Sequence, residues 1–187
     1  MKKLLITCLL ICFSTVVFAQ TETQETTEQP ETNDQRVNEI KLNALFLVLG
    51  GFEVSYEYLL NDESGIGVNA FLPISKEVSD DIKYYISPYY RFYFGNKYAG
   101  GFFVEGFGML NNIERYQEEY NNDGEYIGSD YNFVTDFAVG IGVGGKWISR
   151  RNVTFELSMG IGRNLFHSNE YDEPLIGKGG FTIGYRF

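Results

Sequence analysis

The chain has little of what most catalytic, metal-binding or nucleic-acid-binding proteins rely on. Its two cysteines, Cys8 and Cys12, both fall in the first twenty residues of 187, and there is one histidine and one tryptophan. Beyond Cys12 there is no thiol for a disulfide, a thiolate nucleophile or a metal ligand. Proline is scarce at 4, and Lys plus Arg number 15 against 25 Asp plus Glu, a formal net charge of −10. Nucleic-acid partners are therefore excluded, because that binding rests on neutralising phosphates with Lys and Arg. No apolar run after the first twenty residues approaches the roughly 20 needed for a membrane-spanning helix.

What is present begins with a leader. Lys2 and Lys3 precede an apolar stretch from Leu4 to Phe18, and Val17-Phe18-Ala19 places small residues at the −3 and −1 positions before Gln20. This is the pattern of a signal peptide over residues 1–19, and its core of roughly 15 residues is too short for a helical anchor. Thr7 and Ile11 stand where a lipid-attachment cysteine would want a small neighbour. Once Lys2 and Lys3 leave, the net charge becomes −12. Residues 20–38 are acidic and rich in Glu, Thr and Gln, with too little apolar surface to offset chain entropy, and read as a disordered tether.

From residue 39 the character changes to segments of about ten residues with two-residue alternation. Phe133, Thr135, Phe137, Val139, Ile141 and Val143 share one face, opposite Asp136, Ala138, Gly140, Gly142, Gly144 and Lys146. Period two with one apolar face means strands. A soluble sandwich alternates too. Here, however, the second face mixes isolated charges with glycine and small residues, which suits the crowded interior of a narrow barrel. Aromatics also gather near segment ends, as in Tyr89-Tyr90 and Phe92-Tyr93-Phe94, as in the girdles of membrane barrels.

Eight strands are expected: 39–49, 52–60, 64–72, 83–94, 101–111, 131–147, 152–166 and 177–187. The even count predicts an all-β, eight-stranded antiparallel transmembrane β-barrel over 39–187. Connections two, four and six are short. Three, five and seven are long and polar, as short periplasmic turns and long outer loops should be. The first connection, Gly50-Gly51, departs from this by being tight where it should be long, which points to a short first hairpin or to misplaced boundaries. Phe181, Ile183, Tyr185 and Phe187 alternate up to a terminal Phe and resemble the signal read by the barrel-assembly machinery. The last strand is expected to close the barrel against the strand that starts near Ile40.

The run from Asn38 to Leu45 and that from Phe52 to Leu60 look like the opening hairpin of small Bacteroidetes-type outer-membrane proteins, grouped as a domain of unknown function. Pro88 to Gly95 and Gly160-Ile161-Gly162-Arg163-Asn164 resemble them too. The resemblance covers about 38–187 and implies a fold, broadly OmpA/OmpX-like, without an activity.

On these registers Lys41, Arg91, Lys146 and Arg186 point inward, as do Glu53, Glu57, Glu105, Asp136 and Glu156. An eight-stranded barrel is just wide enough for its side chains, so these charges should pair and plug the lumen. An ion path is the alternative. A lipid-modifying enzyme is the third reading, but lipid A deacylases, which this chain would have to resemble, use a His-x-Ser pair on one face of a strand. Here His167 and Ser168 are adjacent and would face opposite ways. The acidic stretch 114–130, with Glu118, Glu119, Asp123, Glu125 and Asp130, does not have EF-hand spacing and reads as a solvated loop. The glycines of 140–145 alternate within a strand and do not open a helix, so no phosphate cradle is present. The expected protein is a monomeric, non-enzymatic cell-outer-membrane barrel in contact with outer-membrane lipid, with no cofactor, no catalytic residue, no metal site and a surface partner that the sequence does not specify.

Overall fold

The computed structural model describes residues 36–120, 126–166 and 175–187. The leader, most of the tether, His167 and Ser168 lie outside these, as do the side chains of Glu118, Glu119, Asp123, Glu125 and Asp130. Eight strands form a closed barrel in sequence order: β1 Asn38–Asn43, β2 Gly51–Leu59, β3 Ser64–Pro73, β4 Ile82–Phe94, β5 Gly101–Tyr120, β6 Tyr126–Ile148, β7 Val153–Asn164 and β8 Leu175–Arg186. Every neighbouring pair is antiparallel. β8 closes on β1 with Ile40 opposite Tyr185, and Asn38 and Phe187 exchange backbone hydrogen bonds of 3.1 and 2.8 Å. The expected fold and its closing seam are both borne out.

The alternation has opposite consequences on the two faces. Charged and polar side chains are buried inside, while Ile141, Met159, Ile161 and Phe92 stand on the outside, each more than half exposed. A soluble protein of this size would hide such a belt. A barrel in lipid presents it. No helix among the described residues is long and apolar enough to cross a membrane.

Two expectations are corrected. The first strand does not run to residue 49. It ends at Asn43, and Ala44–Leu49 form a helix, α1. Asn43 caps its start by accepting from the Phe46 N–H, and Gly50 ends it in the left-handed region at φ 94°. The Ala-Leu-Phe-Leu-Val-Leu run is apolar at every position, so it carries no period by which to tell strand from helix. The first connection is therefore a helical turn rather than a tight Gly50-Gly51 hairpin.

The second correction concerns 112–130, which is not simply a loop. β5 and β6 stay paired through it, from Asn112 opposite Thr135 to Glu119 opposite Gly128. β4 leaves β5 at Ile82–Ile113, and β7 leaves β6 at Ala138–Asn164, so the pair continues alone as a two-stranded ribbon. Without neighbours on either side the ribbon keeps its backbone ladder while the alternation that marks strands fades from the sequence. A second short helix, α2 (Lys76–Asp81), lies in the connection between β3 and β4.

Candidate functional site: the charged lumen

Two apolar layers bracket the interior. At the loop end Phe71 stacks on Tyr85 at 4.9 Å, with Tyr89, Phe107, Met109 and Ile176 around them, and Phe46 of α1 meets Phe71 edge-on at 5.4 Å. At the end where the chain terminates, Leu59, Tyr93, Ala99 and Phe103 form the second layer, with Val37 and Tyr98 against it.

Most of the charges lie between these layers. All nine inward residues named from the sequence are buried. Seven of them interlock with Glu39 and Lys178. Glu57, with no exposed surface, takes hydrogen bonds from Lys41, Tyr93, Lys146 at 3.2 Å and Arg91 at 3.3 Å. Glu156 pairs with Lys41 at 2.6 Å, Arg91 at 2.8 Å and Lys146 at 3.2 Å. Arg91 also donates to Glu105 at 2.7 Å, and its guanidinium lies over Tyr89 and Phe103 at 4.4 and 4.2 Å. Lys178 joins Glu105 at 2.8 Å. Charges removed from water persist only if each is paired and its remaining lone pairs and protons are used. Here most partners serve two or three others.

Two residues of the nine stand apart from this knot. Glu53 accepts from Tyr85 and from Asn43 at 2.9 Å, nearer the loop end. Asp136 accepts from the backbone N–H groups of Phe137 and Phe166, at 2.7 and 3.0 Å, where β6 leaves β7. Conversely, Glu39 and Lys178 belong to the network although they are absent from the nine. Parity is the signal that finds both, since Glu39 shares a face with Lys41, and Lys178 with Arg186.

Glu39, Glu57 and Glu156 converge within 4.8 Å of one another, close enough to hold a cation. Two ammonium groups already sit among them. Lys41 Nζ is 3.3 Å from Glu39, and Lys146 Nζ is 2.8 Å from it. Three carboxylates facing two lysines and an arginine make a charge-compensated knot in which the ammonium groups stand where a cation would bind.

Arg186 ties this knot to the terminal end. Its Nε donates to Glu39 at 2.7 Å, and its Nη groups donate to the carbonyls of Tyr98 and Ala99 at 2.8 and 2.9 Å. The 95–100 turn is thereby drawn inward. Ala99 is wholly buried, sits at φ 41° and donates its N–H to the Asp62 carbonyl at 2.7 Å. A left-handed non-glycine residue persists only where its surroundings hold it. Lysine could keep the Glu39 pair but could not fork to two carbonyls. Arg186→Lys is therefore expected to cost about 1.5–3 kcal/mol and to open the bond after Lys97 to trypsin. Unfolding midpoints and limited proteolysis check both, and a turn still resistant to cleavage would count against the latch.

The fold has a counterpart among solved structures. The crystal structure of the N-terminal β-barrel domain of Pseudomonas aeruginosa OprF is 18% identical and superposes with a TM-score of 0.50, covering 82% of this chain and 98% of that one. At that identity the likeness speaks to fold alone. No curated protein matches the chain. The family model described as a protein of unknown function, DUF3575, matches residues 7–185, nearly the whole length, and the chain belongs to that family.

Proposed function

We propose that the chain is an outer-membrane barrel with an occluded lumen that does no catalysis and serves envelope structure or surface contact. In this reading residues 1–19 are a cleaved leader, 20–38 a tether on the periplasmic side, and 39–187 the barrel. The short-turn end faces the periplasm, and the β5–β6 ribbon faces outward. Phe181, Ile183, Tyr185 and Phe187 are the lipid-side residues of the closing strand that the assembly machinery would read. The observation that carries the proposal is the interlocked charge knot between two apolar layers. An ion crossing the lumen would have to break several buried pairs at once, and breaking even one costs about 3–5 kcal/mol.

The test is electrical. Protein purified from the outer-membrane fraction, with Gln20 as its first residue, is reconstituted into planar bilayers. The expected trace is indistinguishable from the protein-free membrane, and neither Arg91→Met nor Lys146→Met changes it. Discrete conductance steps in the parent protein, abolished or resized by either substitution, would favour the narrow channel and overturn the plugged reading.

A further inference from the structure

The two short helices at the loop end differ in chemistry. α2 carries Lys76, Glu77, Ser79, Asp80 and Asp81, with Val78 turned toward the barrel, as suits a turn in water. α1 is Ala-Leu-Phe-Leu-Val-Leu and has no polar side chain. Only Phe46 packs into the barrel, onto Phe71. Leu45, Leu47, Val48 and Leu49 are left outside, and Val48 is 85% exposed, more than any other large apolar residue among those described. Four aliphatic side chains on one turn and a half of helix, facing water, would be costly at about 25 cal/mol for each Å².

The surface beside α1 shows what covers it. Phe52 of β2 and Leu72 of β3 are paired neighbours on the apolar outer face of the barrel, both exposed. One step further along, Ile74 donates its backbone N–H to the Gly50 carbonyl at 2.8 Å, directly after Leu49, and both Ile74 and Leu49 are exposed. The apolar outer face thus continues from Phe52 and Leu72 through Ile74 and Leu49 onto α1, with the Ser75 side chain beside Gly50 as the polar group at the junction. Each end of α1 also carries a cap, the Asn43 side chain accepting from the Phe46 N–H and the Gly50 N–H donating to the Phe46 carbonyl, which lowers the number of backbone groups left to a nonpolar surrounding.

We infer that α1 lies in the membrane, its outer face against lipid acyl chains at the loop-end leaflet, while Phe46 on its inner face closes the lumen. The inference rests on the barrel reading above. It makes α1 a lid held down by lipid: the belt grips Leu45, Leu47, Val48 and Leu49, and the aromatic stack grips Phe46. The occupant of this face is an acyl chain, a partner identified by the exposed aliphatic side chains, the apolar neighbours Phe52, Leu72 and Ile74, and the lack of any charge on α1.

Both cysteines of the chain lie within the leader, so single nitroxide labels can be placed cleanly on the processed protein. Val48→Cys, Ile141→Cys on the belt and Lys97→Cys in the exposed terminal-end turn are each labelled after folding into dilauroylphosphatidylcholine vesicles. Collisions with dissolved oxygen, which concentrates in lipid, are compared with collisions with a water-soluble nickel chelate. The Val48 label is expected to match Ile141, with oxygen collisions dominant, and to lose the nickel collisions that Lys97 shows. A Val48 label as open to nickel as Lys97 would place α1 in water and overturn the inference while leaving the barrel intact. A Val48 label screened from both reagents would mean that protein covers the helix, which also overturns it. An Ile141 label open to nickel would overturn the barrel reading and this inference together.

Discussion

Replacing Glu57 by glutamine is expected to lower the unfolding free energy by about 3–5 kcal/mol, because it strands buried cations rather than merely deleting a pair. Glu57 has no exposed surface and stands among Lys41, Arg91 and Lys146. The amide keeps the shape and can still accept from Tyr93, but it removes the charge that balances one of three neighbouring cations. Those cations are themselves buried, with apolar layers on either side of them, so burial leaves little solvent to compensate the lost charge. Glu63→Gln, in the exposed turn after β2, is the matched control and should stay within about 0.5 kcal/mol. Adding Lys41→Met to Glu57→Gln should cost less than the two single effects summed, with a coupling of about 0.5–3 kcal/mol. Urea titration in lipid vesicles can follow the transition by Trp147, the single tryptophan, which sits half-exposed on the outer face and moves from lipid to water on unfolding. A loss below about 1 kcal/mol for Glu57→Gln would mean that the knot contributes little to holding the barrel together, since even a neutral hydrogen bond is worth about that much.

Gly144→Val should be the second large effect, and it is steric. A Cβ at Gly144 would sit 2.4 Å from the ring tip of Phe103 and 2.6 Å from the Leu157 carbonyl oxygen. Phe103 cannot yield, because it is fully buried, with the Arg91 guanidinium over its face and Tyr93 edge-on at 5.7 Å. The carbonyl cannot yield either without breaking the β6–β7 ladder. The expected cost is about 1–3 kcal/mol, at the upper end or beyond because backbone is involved. Gly106 is the contrast. It points outward, and a methyl group added there would meet nothing within 4 Å, so Gly106→Ala should be neutral or stabilising by about 0.4–1 kcal/mol through the unfolded chain. Equal losses in the two variants, read as urea midpoints, would contradict a lumen packed ring against backbone. The inner-face glycines of β6 thus have a reason in packing: Gly140 and Gly144 make room for Phe107 and Phe103 of β5, and Gly142 for Glu105.

Legibility follows the environment of each residue. Lys146, Glu156 and Arg186 can be placed inside from parity alone, because each lies on a strand held between lipid and lumen, where a one-residue slip would put a charge in hydrocarbon. Where that two-sided constraint ends, the pattern ends with it. The ribbon of 112–135 continues as strand without clear alternation, since β4 and β7 no longer flank it. α1 is illegible as a helix because an all-apolar run has no period. Glu39 and Lys178 have the right parity, but each stands at the margin of its strand, where the pattern is weakest.

The number of strands, their inward and outward faces and the closing of the last strand on the first were determined by the sequence itself. Each follows from a period-two pattern and from turn lengths, which are properties of adjacent residues. Which charges meet was decided only in three dimensions. Lys41 and Glu156 are 115 residues apart and touch at 2.6 Å because closure of the barrel pairs both β1 and β7 with β8, bringing the two side chains to neighbouring depths on the inner face. The same closure draws Ala99 inward under Arg186 and lays α1 over the loop end. Parity says which face a side chain takes. Its depth and its partner depend on the register of every strand around the ring, and no single segment carries that information.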